Sequence, residues 1–244
     1  MDKKTGEGTL LKDDLSNYSA EKYKKPSVTV DIIICTILEG KLKVLLIKRK
    51  HPPYRGNWAI PGGFVEVDKN ETLEEAAYRE LREETNITKC YIEQLKTYGD
   101  PGRDPRTRVI TVAHFALVPY ELLQAQNTIK AGDDAAETEW FPLHELKGVD
   151  LAFDHRQILT DALNRLKGKL WYSPIAFSLL PSTFTWSDLK KVYESILGEK
   201  IEAHFNFRRK INARFKMQVT KSCLKGATGR PSKCLKFLGS KDAY

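Results

Sequence analysis

The sequence predicts an α/β domain of mixed strands and helices, followed by a small module of helices that ends in a β-hairpin. Two observations lead to this prediction. Apolar β-type runs alternate with amphipathic helical segments in residues 1–166, whereas residues 173–244 hold short helical stripes before two strand-like runs. The charge divides at nearly the same place, with a net charge of −3 in residues 1–166 and +11 in residues 167–244. This split predicts two modules with different partners, one of them polyanionic; a soluble basic tail is the alternative.

Length and composition exclude several classes of protein. The 244 residues suffice for one large domain or two modest ones, and 41% hydrophobic residues exclude wholesale disorder. The longest apolar run, residues 32–38, is far shorter than the roughly 20 residues of a membrane span, and no apolar segment follows the N-terminus as in a secretory signal. The cysteines lack CxxC spacing, which argues against a disulfide scaffold or a zinc site. We therefore expect a cytoplasmic protein with no membrane partner and with reduced thiols at Cys35, Cys90, Cys223 and Cys234.

The elements of the first domain follow from local patterns and turn residues. Residues 27–38 and 41–48 are apolar enough to form a hairpin in the centre of a sheet. A helix is predicted at 73–84. Its end is expected before Asn86, because asparagine tolerates the left-handed conformation that follows a helix C-terminus. The other predicted elements are strands at 90–97 and 109–118, polar loops at 99–108 and 126–137, and a helix at 154–166 that Gly168 breaks. The predicted organisation is a flexible or docking arm at 1–25, the α/β domain at 26–150, a linking helix at 151–172 and the basic module at 173–244.

One segment carries the strongest chemical signal. Residues 63–87 read G-x7-E-x7-R-E-L-x-E-E-x-N-I. Three carboxylates converge on one face of the predicted helix, because positions three and four apart are neighbours on a helix. They belong to Glu80, Glu83 and Glu84. Like charges at this spacing repel, and a divalent cation removes the repulsion; Mg²⁺ is held by a few carboxylates together with substrate phosphates and water. A solvated acidic face is the alternative.

This segment resembles the Nudix box, the metal-binding loop–helix–loop of hydrolases that cleave nucleoside diphosphates linked to another moiety. The loop from Gly63 to Glu71 is two residues longer than usual, and Asn86 replaces the usual final glycine. The resemblance implies an α/β/α sandwich around a mixed sheet and Mg²⁺ (or Mn²⁺) bound by the three carboxylates. It also implies that Arg79 braces the loop through a charge-assisted pair with Glu71.

The expected reaction is attack of water on a phosphorus atom of a pyrophosphate. A metal would polarise the phosphoryl oxygens and lower the pKa of the attacking water. Glu83 and Glu84 are the expected catalytic carboxylates. A further general base is expected from the second polar loop, where Glu137 is preferred to Asp133 and Asp134.

Candidate substrate-binding residues flank the box. Arg103 and Arg106 are suited to contact phosphates. The prolines of the same loop are equally explained as turn formers. Trp58 is expected either to stack on a base or to anchor the sheet, and Gly63 completes the set. Pro101 lies close to where ADP-ribose-cleaving members of the family carry a proline. The resemblance therefore implies a nucleoside diphosphate sugar such as ADP-ribose as the partner.

The basic module is predicted to contain three helices and a hairpin. A capping pattern at Thr185 begins one helix, and Gly198 ends it. The next helix spans 203–215, with apolar residues at every fourth position facing inward. These inward residues are Phe207, Ile211 and Phe215. Strand-like runs at 216–222 and 233–238 follow, joined by a basic tip.

This order of elements is the plan of a winged helix-turn-helix. In that plan one helix enters the major groove, where Arg and Lys pair with guanine, and the wing contacts phosphates or the minor groove. The candidate DNA-binding residues are Arg208, Arg209, Lys210 and Asn212 on the helix and Lys225, Arg230 and Lys233 on the wing. A dimerisation module with a solvated basic surface is the alternative.

The combination of the two domains, with the segments at 172–181 and 206–211, resembles the Nudix-related transcriptional regulators. The resemblance implies a homodimer that senses ADP-ribose, a sugar phosphate or a sugar and binds palindromic double-stranded DNA. Many members have lost parts of the Nudix box, whereas this sequence keeps every charged position, which favours Mg²⁺ binding and hydrolysis. Two hypotheses remain: a ligand-responsive regulator, or an ADP-ribose pyrophosphatase whose C-terminal domain serves dimerisation.

Overall fold

The computed structural model describes residues 19–126, 135–223 and 232–241. Within these ranges seven strands form one mixed sheet, in which β3, β2, β1, β6 and β5 are neighbours in that order. The strands are β1 (Ser27–Leu38), β2 (Lys41–Arg49), β3 (Trp58–Ala59), β4 (Gly62–Phe64), β5 (Tyr91–Tyr98), β6 (Val109–Leu117) and β7 (Ala135–Pro142). β3 and β7 pair with β2, and β4 pairs with β1. β1 runs parallel to β6 and antiparallel to β2, so the predicted hairpin does lie in the centre of the sheet.

Two helices cover the two faces of this sheet. They are α1 (Leu73–Thr85) and α3 (His155–Lys169). Because side chains alternate along a strand, Ile32 of β1 packs in the cluster that contains Leu81 of α1, and the adjacent Ile33 packs in the cluster that contains Ile158 of α3. This arrangement confirms the expected α/β/α sandwich. The helix predicted at 73–84 is α1, and Asn86 follows it with a φ of 58°, in the left-handed conformation.

The polar loop predicted at 126–137 is wrong at its C-terminal end. A short helix, α2 (Tyr120–Gln126), precedes it, and β7 already begins at Ala135. Thr138 and Trp140 pair with Ile47 and Leu45 of β2. Backbone hydrogen bonds to β2 hold this polar segment in the sheet, so it needs no apolar pattern of its own.

The predicted break at Gly168 is also wrong, because α3 continues through it to Lys169. A glycine inside a helix costs roughly 1 kcal/mol relative to alanine. Leu166 and Leu170 on either side of it are fully buried. Their burial outweighs the cost of the glycine, so the helix reaches the second domain without interruption.

The C-terminal elements follow the winged-helix order. A 3-10 helix (Pro174–Leu179) precedes α4 (Trp186–Leu197), α5 (His204–Arg214), β8 (Phe215–Cys223) and β9 (Ser232–Ser240). Thr185 and Asp188 form the predicted capping box of α4, and Gly198 ends the helix with a φ of 79°. The predicted inward residues Phe207, Ile211 and Phe215 are all buried.

One thiol departs from the expectation of reduced cysteines. Cys35 and Cys90 are free, whereas Cys234 is buried and disulfide-bonded. Sequence spacing does not report which thiols a folded hairpin brings together, so the expectation is wrong for Cys234. Among the helices of the described ranges, none has the length and apolarity needed to cross a bilayer.

The two domains share a single hydrophobic core. One continuous cluster contains Ile33 and Leu46 of the sheet, Leu166 of α3, Leu189 of α4 and Phe207 of α5. At the surface of this seam, the Ser195 hydroxyl of α4 donates a hydrogen bond of 2.7 Å to the carbonyl of Gly40 in the β1–β2 turn. The winged helix is therefore packed against the sheet rather than suspended from a linker.

The Ser195 hydrogen bond predicts a measurable contribution to stability. We expect Ser195→Ala to lower the free energy of unfolding by about 0.5–1.5 kcal/mol, because it removes a hydrogen bond at a partly buried seam. Urea denaturation followed by circular dichroism measures this change. The exposed Ser182→Ala serves as the control and should change the free energy by less than about 0.5 kcal/mol. Equal effects of the two substitutions would contradict the prediction.

Candidate functional site

A bidentate ion pair fixes the loop in front of α1. The Arg79 Nε atom lies 2.8 Å from Glu71 Oε1, and Arg79 Nη2 lies 3.2 Å from Glu71 Oε2. The hydrogen bond from Arg79 lowers the pKa of the Glu71 carboxyl. Arg79 Nη2 also donates to the carbonyl of Phe64 at 3.2 Å, and the backbone N–H of Glu66 donates to Glu71. The two extra residues of the loop are accommodated in a 3-10 turn, Val67–Lys69, which leaves the pair intact.

The three carboxylates of α1 have different environments. Glu80 and Glu84 are buried, whereas the Glu83 side chain is 50% exposed. Burial raises the pKa of Glu80 to about 7, although Arg79 Nη1 donates to its Oε1 at 2.6 Å and acts in the opposite direction. Arg79 Nη1 is also 3.4 Å from Glu83 Oε2.

A divalent cation fits the chemistry of these side chains. Their carboxylate oxygens are the hard ligands that such a cation takes, and Gly63 leaves room beside them, since a Cβ there would lie 2.5 Å from Glu80 Oε1. The expected convergence is nevertheless incomplete. Over the ranges the structure describes, no group of three or more His, Cys, Asp or Glu side chains is arranged to hold a metal ion. The physical reason is Arg79, which draws Glu80 and Glu83 toward its guanidinium.

A cavity of about 180 Å³ lies beside the box. Its lining includes Gly63, Phe64, Arg103, Arg106, Phe153 and His155. Three of the four predicted substrate-binding residues therefore meet here. Trp58 does not line this cavity. Its ring packs against Phe141 at 4.8 Å, and the Lys48 ammonium lies 5.5 Å from the Trp58 centroid. These contacts favour the alternative in which Trp58 anchors the sheet.

Two of the three arginines that line the cavity, Arg103 and Arg106, are already paired with carboxylates. Arg103 Nε and Nη2 donate to the two carboxylate oxygens of Asp154 at 2.9 and 2.7 Å. Burial opposes the charge of Arg103, but the hydrogen bonds from Asp154 outweigh it, so the pKa of Arg103 is raised. Arg106 binds Asp104 in the same bidentate way, at 3.0 and 2.7 Å, and its guanidinium lies 5.9 Å from the Phe64 ring. A phosphate that enters the cavity thus competes with carboxylates.

The structure adds residues that the sequence pattern did not identify. Asp31 lies in the otherwise apolar β1 and is buried, with its Oδ2 3.7 Å from Arg103 Nη2. A lone aspartate in a buried strand was the available signal. His155 accepts a hydrogen bond from the backbone N–H of Ile60 through Nδ1 at 2.9 Å. Phe153 has a φ of 51°, a conformation that side-chain-bearing residues rarely adopt and that is found at functional sites.

The candidate general base lies on an exposed strand. Glu137 belongs to β7, and its side chain pairs with Lys48 of β2 at 3.1 Å. Asp133 and Asp134 lie outside the described residues. The choice of general base stays a prediction.

The basic face of the winged helix is formed by α5 and the hairpin. Arg208, Arg209, Lys210 and Asn212 are exposed. The Arg208 guanidinium lies 5.3 Å from the Trp186 ring, and both line a groove of about 360 Å³ together with Lys233. Lys210 instead lies 4.8 Å from the ring of Trp171, which follows α3. Lys225 and Arg230 lie outside the described residues.

An α/β/α sandwich that carries this loop–helix box, packed against a winged helix with a basic face, defines a Nudix protein with a DNA-binding module. Two family models agree with this class: the NUDIX domain matches residues 28–162, and the NrtR DNA-binding winged helix domain matches residues 176–237. The chain belongs to the NrtR family of Nudix-related transcriptional regulators.

Three known proteins are similar to this chain. The ADPR responsive transcriptional repressor NtrR of Acinetobacter baylyi is 35% identical over 91% of this chain and 86% of its own. The ADP-ribose pyrophosphatase of Methanocaldococcus jannaschii is 42% identical over 65% of this chain and 85% of its own. NrtR of Shewanella oneidensis with a 27mer DNA matches with a TM-score of 0.74 and 33% identity, covering 86% of this chain and 93% of that one. Its NUDIX domain with ADP ribose matches with a TM-score of 0.55 and 35% identity, covering 63% and 97%.

The buried His155 predicts a pH dependence of stability. Burial lowers the pKa of His155 below 6.5, so at lower pH the unfolded chain binds a proton that the folded chain does not. Its stabilising contribution is complete above 6.5 and is lost as the pH falls toward the folded pKa. We expect His155→Gln, which keeps an acceptor for Ile60 but does not titrate, to reduce the pH slope by up to about 1.4 kcal/mol per pH unit.

The measurement is urea denaturation of both proteins between about pH 7 and pH 5. His51→Gln, at an exposed position, is the matched control and should keep the slope of the wild type. A His155→Gln slope equal to that of the wild type would show that His155 does not carry this dependence.

Proposed function

We propose that this protein is a transcription regulator that senses ADP-ribose or a closely related nucleoside diphosphate sugar through its Nudix domain and binds double-stranded DNA through its winged helix. The observation that carries the proposal is the shared core: the arginine-lined cavity and the basic helix α5 belong to domains that pack as one body. A ligand in one domain is thereby mechanically connected to the DNA-binding surface of the other.

The ligand class follows from the cavity. Paired guanidinium forks bind phosphate oxygens bidentately, and the Phe64 ring beside Arg106 offers an apolar surface. The similar NrtR NUDIX domain was crystallised with ADP ribose, and the similar Acinetobacter repressor is ADPR responsive. These facts support ADP-ribose as the effector.

The DNA partner follows from the basic face of α5 and from the similar NrtR that was crystallised with DNA. Arg208 and Arg209 are the expected contacts to DNA, with Lys233 of the wing beside them. Binding as a homodimer would place two half-sites about one helical turn, or a multiple of it, apart. Because a transcription regulator must reach the DNA that it binds, this function supports the expected cytoplasmic location.

DNA binding is tested with the region upstream of the protein's own gene. We expect log affinity to fall with log salt at a slope of about −0.9 per phosphate neutralised. Arg208→Ala and Arg209→Ala should each weaken binding by about 1–3 kcal/mol, as measured by fluorescence anisotropy. Lys147→Ala, at an exposed position of the Nudix domain, is the control and should leave the affinity unchanged. Binding no tighter than to random DNA would refute the regulatory role.

A second activity, hydrolysis of the effector, is favoured by the retention of all three carboxylates on α1. Glu80, Glu83 and Glu84 would hold a divalent cation, for which Mg²⁺ or Mn²⁺ is the expected identity. When bound, it neutralises charge on phosphoryl oxygens and lowers the pKa of a water ligand. Arg79 keeps the loop in place through Glu71, and Glu137 is the expected proton acceptor.

Hydrolysis predicts Mg²⁺-dependent release of AMP from ADP-ribose. We expect Glu83→Gln and Glu84→Gln each to abolish this release, because both remove a charged oxygen ligand, while the far-ultraviolet circular dichroism stays unchanged. Glu74→Gln, on the exposed first turn of α1, is the matched control and should keep the wild-type rate. Full turnover in both box variants would show that the active site lies elsewhere.

A further inference from the structure

The cavity and the second domain are joined by one ion pair and one helix. Arg103, whose side chain is 5% exposed, holds Asp154 by two hydrogen bonds of 2.9 and 2.7 Å. Asp154 is the N-cap residue of α3, yet its carboxylate makes no capping hydrogen bond to the helix. Aspartate is among the strongest N-cap residues because its side chain accepts from the first free N–H groups of a helix. Here that carboxylate is turned away from the helix and toward the cavity.

The other end of α3 lies under the DNA-binding helix. α3 has 15 residues, a length of about 22 Å, and it is continuous to Lys169. Trp171 follows it directly and packs against Tyr193 of α4 at 5.1 Å and Phe207 of α5 at 6.5 Å. The Lys210 ammonium of α5 lies 4.8 Å from the same ring. A change at the first turn of α3 thus has a packed route to the basic face.

We propose that Asp154 is the positioning residue that couples the effector to the winged helix. A phosphate of the ligand displaces the Asp154 carboxylate from Arg103, and the released carboxylate then caps the N-terminus of α3. This inference rests on the proposed function and specifies how the same site is regulated.

The exchange has two discrete arrangements, which is the requirement for a switch. Asp154 occupies the face of the Arg103 guanidinium formed by Nε and Nη2, and a phosphate can bind the same face with the same geometry and more charge. Arg103 is not left without a countercharge, because Asp31 Oδ2 lies 3.7 Å from its Nη2 and makes no hydrogen bond among the described residues. Asp154 gains the backbone N–H of Arg156 in place of the guanidinium. The other N–H groups of the first turn, those of His155, Gln157 and Ile158, already donate to backbone carbonyls. A ligand shifts such an equilibrium only through its different affinity for the two arrangements, and here the difference is access to Arg103.

The test compares Asp154→Asn with the wild type in DNA titrations with and without saturating ADP-ribose. Asparagine caps helices as well as aspartate does but cannot hold Arg103 with its charge. We therefore expect the variant without ligand to bind DNA with the affinity that the wild type shows with ligand. The effect of ADP-ribose on the DNA Kd, about 5- to 150-fold for typical coupling, should fall below about twofold. Asp154→Ala, which cannot cap, should keep the DNA affinity of the free wild type.

The matched control is Asp161→Asn, which removes a carboxylate of the same helix that accepts a hydrogen bond from Tyr98 at 2.9 Å. It should retain the wild-type response to ADP-ribose. An Asp154→Asn variant that responds like the wild type overturns the inference. A wild type that binds ADP-ribose and DNA, but whose DNA affinity does not change with ADP-ribose, also overturns the inference and leaves the two binding activities standing. A wild type that binds neither ADP-ribose nor DNA overturns the proposed function itself.

A measurement on the wild type covers the case in which Asp154→Asn fails to fold. Hydrogen exchange followed by mass spectrometry should show that ADP-ribose slows amide exchange in the first turn of α3, at Arg156, because the capping carboxylate accepts from that N–H. Unchanged exchange in this turn under saturating ADP-ribose overturns the inference.

Discussion

The continuous apolar core around α3 is the constraint on which the rest of this molecule depends. β1 is buried on both faces, so that Ile32 packs toward α1 and Ile33 toward α3. The cluster on the α3 side does not end at the sheet; it extends through Leu166 and Leu170 to Phe207 of the DNA-binding helix. Because interiors are packed at the density of organic crystals, a displacement of α3 cannot be absorbed locally. The two domains therefore respond together.

Within this frame, ion pairs hold one arginine of the box and two arginines of the cavity. Arg79, Arg103 and Arg106 each make bidentate pairs with a carboxylate. Removing one member of a buried pair leaves an uncompensated charge, whereas replacing it with another anion of similar geometry does not. The same guanidinium groups that stabilise the free protein are thus suited to receive phosphates. The box and the cavity meet at Gly63, where the absence of a side chain lets Glu80 approach.

The basic face of α5 depends on the core in a second way. Trp186 and Trp171 both contact Phe207 of α5, and each has a cation of that helix above its ring. Cation–π contacts restrict long side chains that would otherwise sample many rotamers. Arg208 is held at the groove beside the wing, whereas Lys210 is held toward the connection to α3. Arg208 and Lys210, which look equivalent in the sequence, therefore have different surroundings.

The sequence by itself determined the local features, because they depend on residues within one turn or one strand. These include the capping box at Thr185, the left-handed Asn86, the Arg79–Glu71 spacing and the inward face of α5. Only the tertiary structure decided which distant groups meet: Arg103 with Asp154, Trp58 with Phe141, and the strand β7 with β2. It also decided that α3 runs through Gly168, that Cys234 is disulfide-bonded and that Arg79 draws the carboxylates of Glu80 and Glu83. A linear pattern records periodicity and spacing, whereas partners fifty residues apart are chosen by packing and by the need to pair every buried charge.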